Sequence, residues 1–276
     1  LSVEWAKEKG YLEQEADVEK EVFGVIYERF SVGRKLSSFG VKHDIKTVLE
    51  MPAHGAKAMP SIYSLGFGMC AQKITLVNGN PKYISEWKKI GAAHKIEWLH
   101  EDDILQSSFQ DKSYDFVWNF AYLPACPDPD KLIEEMKRIS KKYVAVFSVN
   151  AGNIGFPVHR LVHKKTGIPW THGDIRYNKR GFIRKRLEEH GLTIVETGFV
   201  DCPVWPDSLG FRDVRLHRMN VDFNTMDWET PYTQMLAQNR FPLWIKLVYL
   251  VEKLPMPKKI KSIHSHINYT IAKVEK

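Results

Sequence analysis

The sequence predicts an α/β fold, a doubly wound and mostly parallel sheet with helices on both faces, and three observations predict it. Strand candidates (the first running through Val48 and Leu49 into Glu50, then Ile74–Val77, Ile96–Leu99, the apolar run Phe116–Trp118, and Tyr143–Val149) alternate with helix-patterned segments at intervals of about 25 residues. The last of these runs is apolar almost throughout, as expected of a strand covered on both faces. The runs end in acidic or amide residues, Glu50, Asn78, the Asp102–Asp103 pair and Asn119. Open α/β sheets hold their ligands at such strand ends.

Residues 1–43 read as a helical cap, because Val22, Val25, Ile26, Phe30 and Leu36 recur at spacings close to one face of a helix. The core is expected over 44–200 and 264–276. Its first strand leads through Val48 and Leu49 into Glu50, a tight loop passes Gly55, and a short helix starts near Pro60. The second strand stops at NGNP, where Pro81 suits the first turn of a helix running to about Gly91. Asp128 or Asp130 can cap a helix carrying Leu132, Ile133, Met136 and Ile139. After Asn150 the pattern loosens into a segment rich in Gly, Pro and His; regularity returns with Ile183–His190, capped by Gly191, and the strand Leu192–Val200. Residues 201–263 form an insertion expected to cover the substrate side, and the closing HINYTIAKVEK alternates like an edge strand.

Bulk properties narrow the function classes. The 276 residues fit one α/β domain with insertions better than two autonomous ones. A net charge of +7 permits an anionic partner, but Arg184–Arg186 has no nucleic-acid reader motif beside it, so no nucleic acid is expected. Cys70, Cys126 and Cys202 are widely spaced without a CxxC pair, which points to a reducing compartment rather than a disulfide scaffold. With no apolar run long enough to span a bilayer and a highly charged beginning, a cytoplasmic protein is expected. The apolar helix candidate Phe241–Leu254, with Lys246, Lys253, Lys258, Lys259 and Lys261, is expected to pack on the domain or on a second subunit; a membrane interface is the alternative.

The order of these pieces resembles the class I methyltransferases that use S-adenosylmethionine, the seven-stranded Rossmann-like family. The similarity covers about residues 45–200 and the last strand. It is carried by LEMPAHGAK after the first strand, VNGNP after the second, HEDDIL after the third and DFVWNFAYL in the fourth. The resemblance implies S-adenosylmethionine as cofactor, held by Glu50, Pro52, Ala53, His54, Gly55, Asn78, Gly79, Asp102, Asp103, Ile104 and Asn119. Glu50 would face the ammonium of the methionine portion, Asn78 the ribose and the aspartate pair the adenine; Asn119 would floor the pocket near the sulfonium. The loop is atypical: Pro52, His54 and Ala56 stand where the family has glycines, leaving Gly55 alone, and Asn78 replaces an acid.

Methyl transfer from a sulfonium needs in-line approach, and a base only when the acceptor must lose its proton early. His159, His163, His172 and Tyr122 are the candidates for substrate contact or acid–base work. His159 and His163 would share a helical face, and with Asp174 could make a metal-ligand set, although no metal is expected. Tyr122, Trp170, Tyr177, Trp205 and Asp207 would lie over the acceptor pocket, where aromatic walls suit a flat or cationic molecule. The expected activity is O- or N-methylation of a small, aromatic or heterocyclic metabolite. Its alternatives are a catalytically silent binding module on the same fold and a membrane-interface enzyme acting on a lipid or quinone.

Overall fold

Seven of the apolar segments do pair into one sheet. In the computed structural model, which describes residues 18–54, 59, 61–170, 172–203, 205 and 227–275, these are β2 (Thr47–Glu50), β3 (Lys73–Val77), β4 (Ile96–Leu99), β5 (Tyr114–Phe120), β6 (Ser140–Val149), β7 (Leu192–Val200) and β9 (Ile267–Val274). Their spatial order is β4-β3-β2-β5-β6-β9-β7. All neighbours are parallel except β9, which runs antiparallel to both β6 and β7. Two short segments, β1 (Val18–Lys20) and β8 (Asp227–Glu229), form a separate parallel pair.

The chain winds outward from β2 to β4 and then returns to β5 on the other side of β2. The C-terminal ends of β2 and β5 therefore flank the switch point at which open α/β sheets take their ligands. Alternation along each strand splits the core into two layers. Val48, Phe116 and Trp118 face one layer with helix α1 (Phe23–Lys42), whereas Leu49 and Val117 face the other with α3 (Pro129–Ile139) and α5 (Arg180–Glu189). The remaining helix of the first half, α2 (Ile84–Lys89), follows a 3₁₀ turn that Asn80 caps with Pro81 behind it. Asp128 caps α3 through the Lys131 amide, and Gly191 takes a φ of 72° just after α5.

Three expectations are corrected. The last strand is not at the edge: β9 inserts between β6 and β7, which explains why nearly all of it is buried, and the edges are β4 and β7. The helix expected near Pro60 is only a 3₁₀ turn, Tyr63–Phe67, with Pro60 itself outside the described residues. The segment after Asn150 holds a regular helix, α4 (Gly155–Thr166), ended by Gly167 at a φ of 73°. Its apolar stripe is interrupted by the two histidines, which hid the periodicity.

Of the segment expected as a helical cap, residues 1–17 lie outside the described residues, Val18–Lys20 is the strand β1, and α1 supplies most of the remainder. The later part of the chain adds α6 (Pro231–Ala237), α7 (Leu243–Lys253) and α8 (Lys258–His264). Helix α7 lies on α1, where the buried Glu252 accepts hydrogen bonds from Tyr27 (2.8 Å), Ser31 (2.8 Å) and the Cys202 amide (3.0 Å). Phe241 and Tyr249 pack edge-on to Phe30. No helix among the described residues is long and apolar enough to cross a membrane. The three cysteines are unpaired.

Helix α1 and the Tyr63–Phe67 turn meet backbone to backbone, since a Cβ on Gly66 would lie 2.5 Å from the Gly33 carbonyl oxygen. Gly66→Ala is expected to cost about 2 kcal/mol or more. Gly181, with open space around it in the first turn of α5, is expected to gain about 0.5 kcal/mol as Ala. Urea unfolding of the two variants checks both signs.

Candidate active site

Glu50 ends β2 completely buried. Its Oε2 accepts from Ser64 Oγ at 2.6 Å, and that hydroxyl accepts in turn from Trp118 Nε1 at 3.0 Å. Its Oε1 has no partner among the described residues. Burial pushes the carboxyl up to about 7, against the opposing influence of the Ser64 bonds and the Arg29 charge.

Arg29 enters the same region from α1, buried and fixed. Its guanidinium is bound in a fork by Glu21, donates to the Met59 carbonyl at 3.0 Å and sits 4.8 Å above the Tyr63 ring. Tyr63 is held by a hydrogen bond to Glu28 (2.9 Å) and stacks on Phe120 at 3.9 Å. Arg29 Nη1 also lacks a partner among the described residues. A buried polar group without a partner costs about 1–3 kcal/mol, and more when charged. One acceptor and one donor of opposite charge, left over in one buried region, fit a ligand that carries both an ammonium and a carboxylate.

The loop after Glu50 is tied to the sheet by residues that pattern alone did not single out. The Ala53 amide donates to Val77 at 2.7 Å, and Ser61 Oγ links the Ala53 carbonyl (2.8 Å) to the Asn80 amide (2.9 Å). Pro52 and Ala53 are buried in this seam, and Gly55 lies outside the described residues. His54 is exposed at the mouth, edge-on to Tyr122 at 5.4 Å. Loss of hydration lowers its imidazole below the ordinary histidine value, partly offset by a backbone hydrogen bond with Asn78.

The other residues expected at the cofactor have these surroundings. Asn78 sits at a φ of 54° and its side-chain amide makes a reciprocal pair with the Glu101 backbone (2.8 and 2.9 Å), which braces the β3 and β4 ends. Gly79 is required by packing, because a Cβ there would lie 2.9 Å from the Trp98 ring and 2.8 Å from Ser61 Oγ. Asp102 points into solvent beside His100; Asp103 is exposed and accepts from the Leu105 amide (2.8 Å), while Ile104 is buried in the core layer of α3. Asn119 is buried one residue past the partner of Glu50 in the register, so it faces the opposite layer, where its amide nitrogen lies 3.3 Å from Met136 Sδ.

The four acid–base candidates separate in space. His159 and His163 are buried side by side on α4, their Nε2 atoms 3.1 Å apart, and the His172 ring lies 4.8 and 5.4 Å from theirs. Trp170 closes this group. Tyr122 stands apart from it, facing His54. Asp174 is not with the histidines, since it caps the Arg176 amide and pairs with that guanidinium. Tyr177 is core, and Trp205 packs on Phe23, Tyr27 and Trp244. Asp207 lies outside the described residues.

Arg29, Ser61 and Ser64 were missed by the sequence reading. Arg29 had a signal: it falls between Ile26, Phe30 and Gly33 on the apolar stripe of α1, and a charge inside such a stripe is a buried charge in need of partners. The serines had none, because their roles depend on a loop path that only the fold determines.

Comparison with known proteins gives a family match over part of the chain and a likeness in fold. Residues 59–147 match the family model described as a methyltransferase domain. A candidate methyltransferase from Bacillus halodurans has a similar structure, with a TM-score of 0.50, 19% identity, and coverage of 88% of this chain and 99% of that one. So does the [4+2]-cyclase SpnF, with a TM-score of 0.50, 14% identity, and coverage of 87% and 80%. No curated protein matches the sequence. Residues 59–147 thus match a methyltransferase domain, and the seven-stranded sheet built around them has the fold of these solved structures.

Proposed function

We propose that the chain is an S-adenosylmethionine-dependent methyltransferase acting on a small, aromatic or heterocyclic acceptor by O- or N-methylation. The observation that carries the reading is the pair of buried atoms without a partner among the described residues, Glu50 Oε1 and Arg29 Nη1, which complement the ammonium and carboxylate of the cofactor's methionine portion. Bound, S-adenosylmethionine supplies an electrophilic methyl group on a sulfonium. Glu50 accepts from the ammonium and is held ionised by it; Arg29, already locked by Glu21, donates its remaining edge to the carboxylate. Pre-organisation of both groups spares the ordering cost of binding.

Tyr122 and His54 mark the acceptor side. Burial raises the Tyr122 hydroxyl, so it stays protonated and serves as a donor to the acceptor. His54, with its lowered value, is neutral near pH 7 and is the group able to take a proton from the acceptor. His159 and His163, buried against each other, position the neighbouring segment and do not reach a diffusing substrate. Residues 1–43 and 201–263 are assigned to the cover of this domain, with the core over 44–200 and 264–276.

A second reading keeps the reaction and moves it to a membrane surface. Leu243, Leu247, Leu250 and Leu254 are exposed in a row on and just after α7, with lysines alongside. Sedimentation with anionic vesicles at low salt checks it, and no binding there removes it. Transfer of labelled methyl from the cofactor to an extracted metabolite separates either reading from a catalytically silent module.

Glu50→Gln is expected to weaken binding of S-adenosylhomocysteine by about 10-fold or more in isothermal titration, through loss of a charged contact. The same change alters the pH dependence of stability. A carboxyl raised from 4.5 to about 7 in the folded state makes the fold bind more protons than the unfolded chain in that interval, so its contribution to stability is lost as pH rises through it. Ligand-free Glu50→Gln is therefore expected to melt above wild type at about pH 8 and to lose that advantage towards about pH 5. Asp102→Ala, a change in a solvent-facing residue, is expected to alter cofactor affinity by less than about twofold.

A further inference from the structure

We propose that His159, His163 and His172 form a mononuclear zinc site, separate from the cofactor crevice and independent of the methyl-transfer reading. The three imidazoles each offer one ring nitrogen, and these atoms lie within 4.8 Å of one another. The Nε2 atoms of His159 and His163 are 3.1 Å apart. A tetrahedral zinc with Zn–N bonds of about 2.0–2.1 Å holds neighbouring nitrogens about 3.3 Å apart, so these two already stand at ligand spacing. His172, the least buried of the three, is the one with room to adjust.

The second argument is the tautomer. His163 Nδ1 faces the Ile168 and Pro169 carbonyl oxygens at 3.0 and 3.1 Å, and a carbonyl can only accept. Nδ1 therefore carries a proton, and Nε2 is the nitrogen directed at His159. A ligating histidine is commonly oriented this way, by donating its far N–H to a backbone carbonyl.

The local chain builds this arrangement. His159 and His163 are one turn apart on α4, and Gly167 in the left-handed conformation ends the helix and brings residues 168–170 back over His163. Trp170 packs at 4.7–5.3 Å from all three imidazoles, and its indole donates to the Gly173 carbonyl at 3.0 Å. Gly173 has a φ of 69° and lies so close to Pro124 that a Cβ would strike its carbonyl oxygen; the Asp174 amide bonds that same oxygen at 2.7 Å. The segment next to His172 is thus pinned on the loop that follows β5. A surface cavity of about 450 Å³, lined in part by Arg160, His163, Lys164 and Trp170, opens beside the group. It gives an ion a path to His163. Imidazole ligands without thiolate or carboxylate suit zinc among the available divalent ions, and three histidines with an open position form a known zinc geometry.

The test uses the full chain after dialysis against EDTA, titrated with zinc chloride in a calorimeter. One tight site per chain is expected, together with the visible absorption of tetrahedral cobalt when Co²⁺ replaces zinc. His172→Gln and His159→Gln are each expected to weaken this site by about 100-fold or more and to abolish the cobalt spectrum. His172→Gln, in the less buried residue, should leave the melting temperature of the metal-free protein unchanged, so the loss would not reflect misfolding. Absence of stoichiometric zinc binding at micromolar concentration, or unchanged affinity in His172→Gln, overturns the site.

Discussion

The structure depends on one buried carboxylate. Glu50 ends the central strand with no access to water, and everything around it responds to that charge. Ser64 donates to it from the 3₁₀ turn, Trp118 orients Ser64 from the neighbouring strand, and Arg29 balances it from α1. The arrangement satisfies one carboxylate oxygen and leaves the other without a partner among the described residues. A fold selected for stability alone would place an apolar side chain there. Among the described residues the half-satisfied pair of Glu50 and Arg29 is a stability cost, which the proposed zwitterionic ligand would repay.

The cover is built around the same need. Helix α1 carries Arg29 to the crevice, and it can do so only because its own buried polar groups are satisfied by later parts of the chain. Glu252 of α7 takes the Tyr27 and Ser31 hydroxyls, and Lys35 reaches Glu196 of β7. Residues more than 200 apart in sequence thereby set the position of one guanidinium. The histidine group beside α4 is built by a different device, the reversal at Gly167 and the contact of Gly173 with Pro124, so the two groups are positioned independently.

The atypical loop has a physical account. In place of a glycine-rich turn, the chain after β2 uses buried Pro52 and Ala53 in a seam closed by Ser61. Asn78, which stands where the family has an acid, is committed to the Glu101 backbone.

What the sequence determined by itself is what depends on local periodicity and composition. The strands, the helices with strong caps such as Asp128 and Gly191, the α/β class and the placing of Glu50 at a strand end all follow from patterns a few residues long. Tertiary structure decided what depends on distant neighbours. A strand reads alike at an edge or in the middle of a sheet until its partners are known, so β9 looked like an edge. Asp103, Asn78 and Asn119 share one chemistry in sequence, but solvent, the Glu101 backbone and the layer of α3 assign them three different fates. Arg29 and Ser64 joined the site, and His172 joined His159 and His163, only through the path of the chain between them, because side-chain chemistry names what a residue can do while the fold decides what stands within its reach.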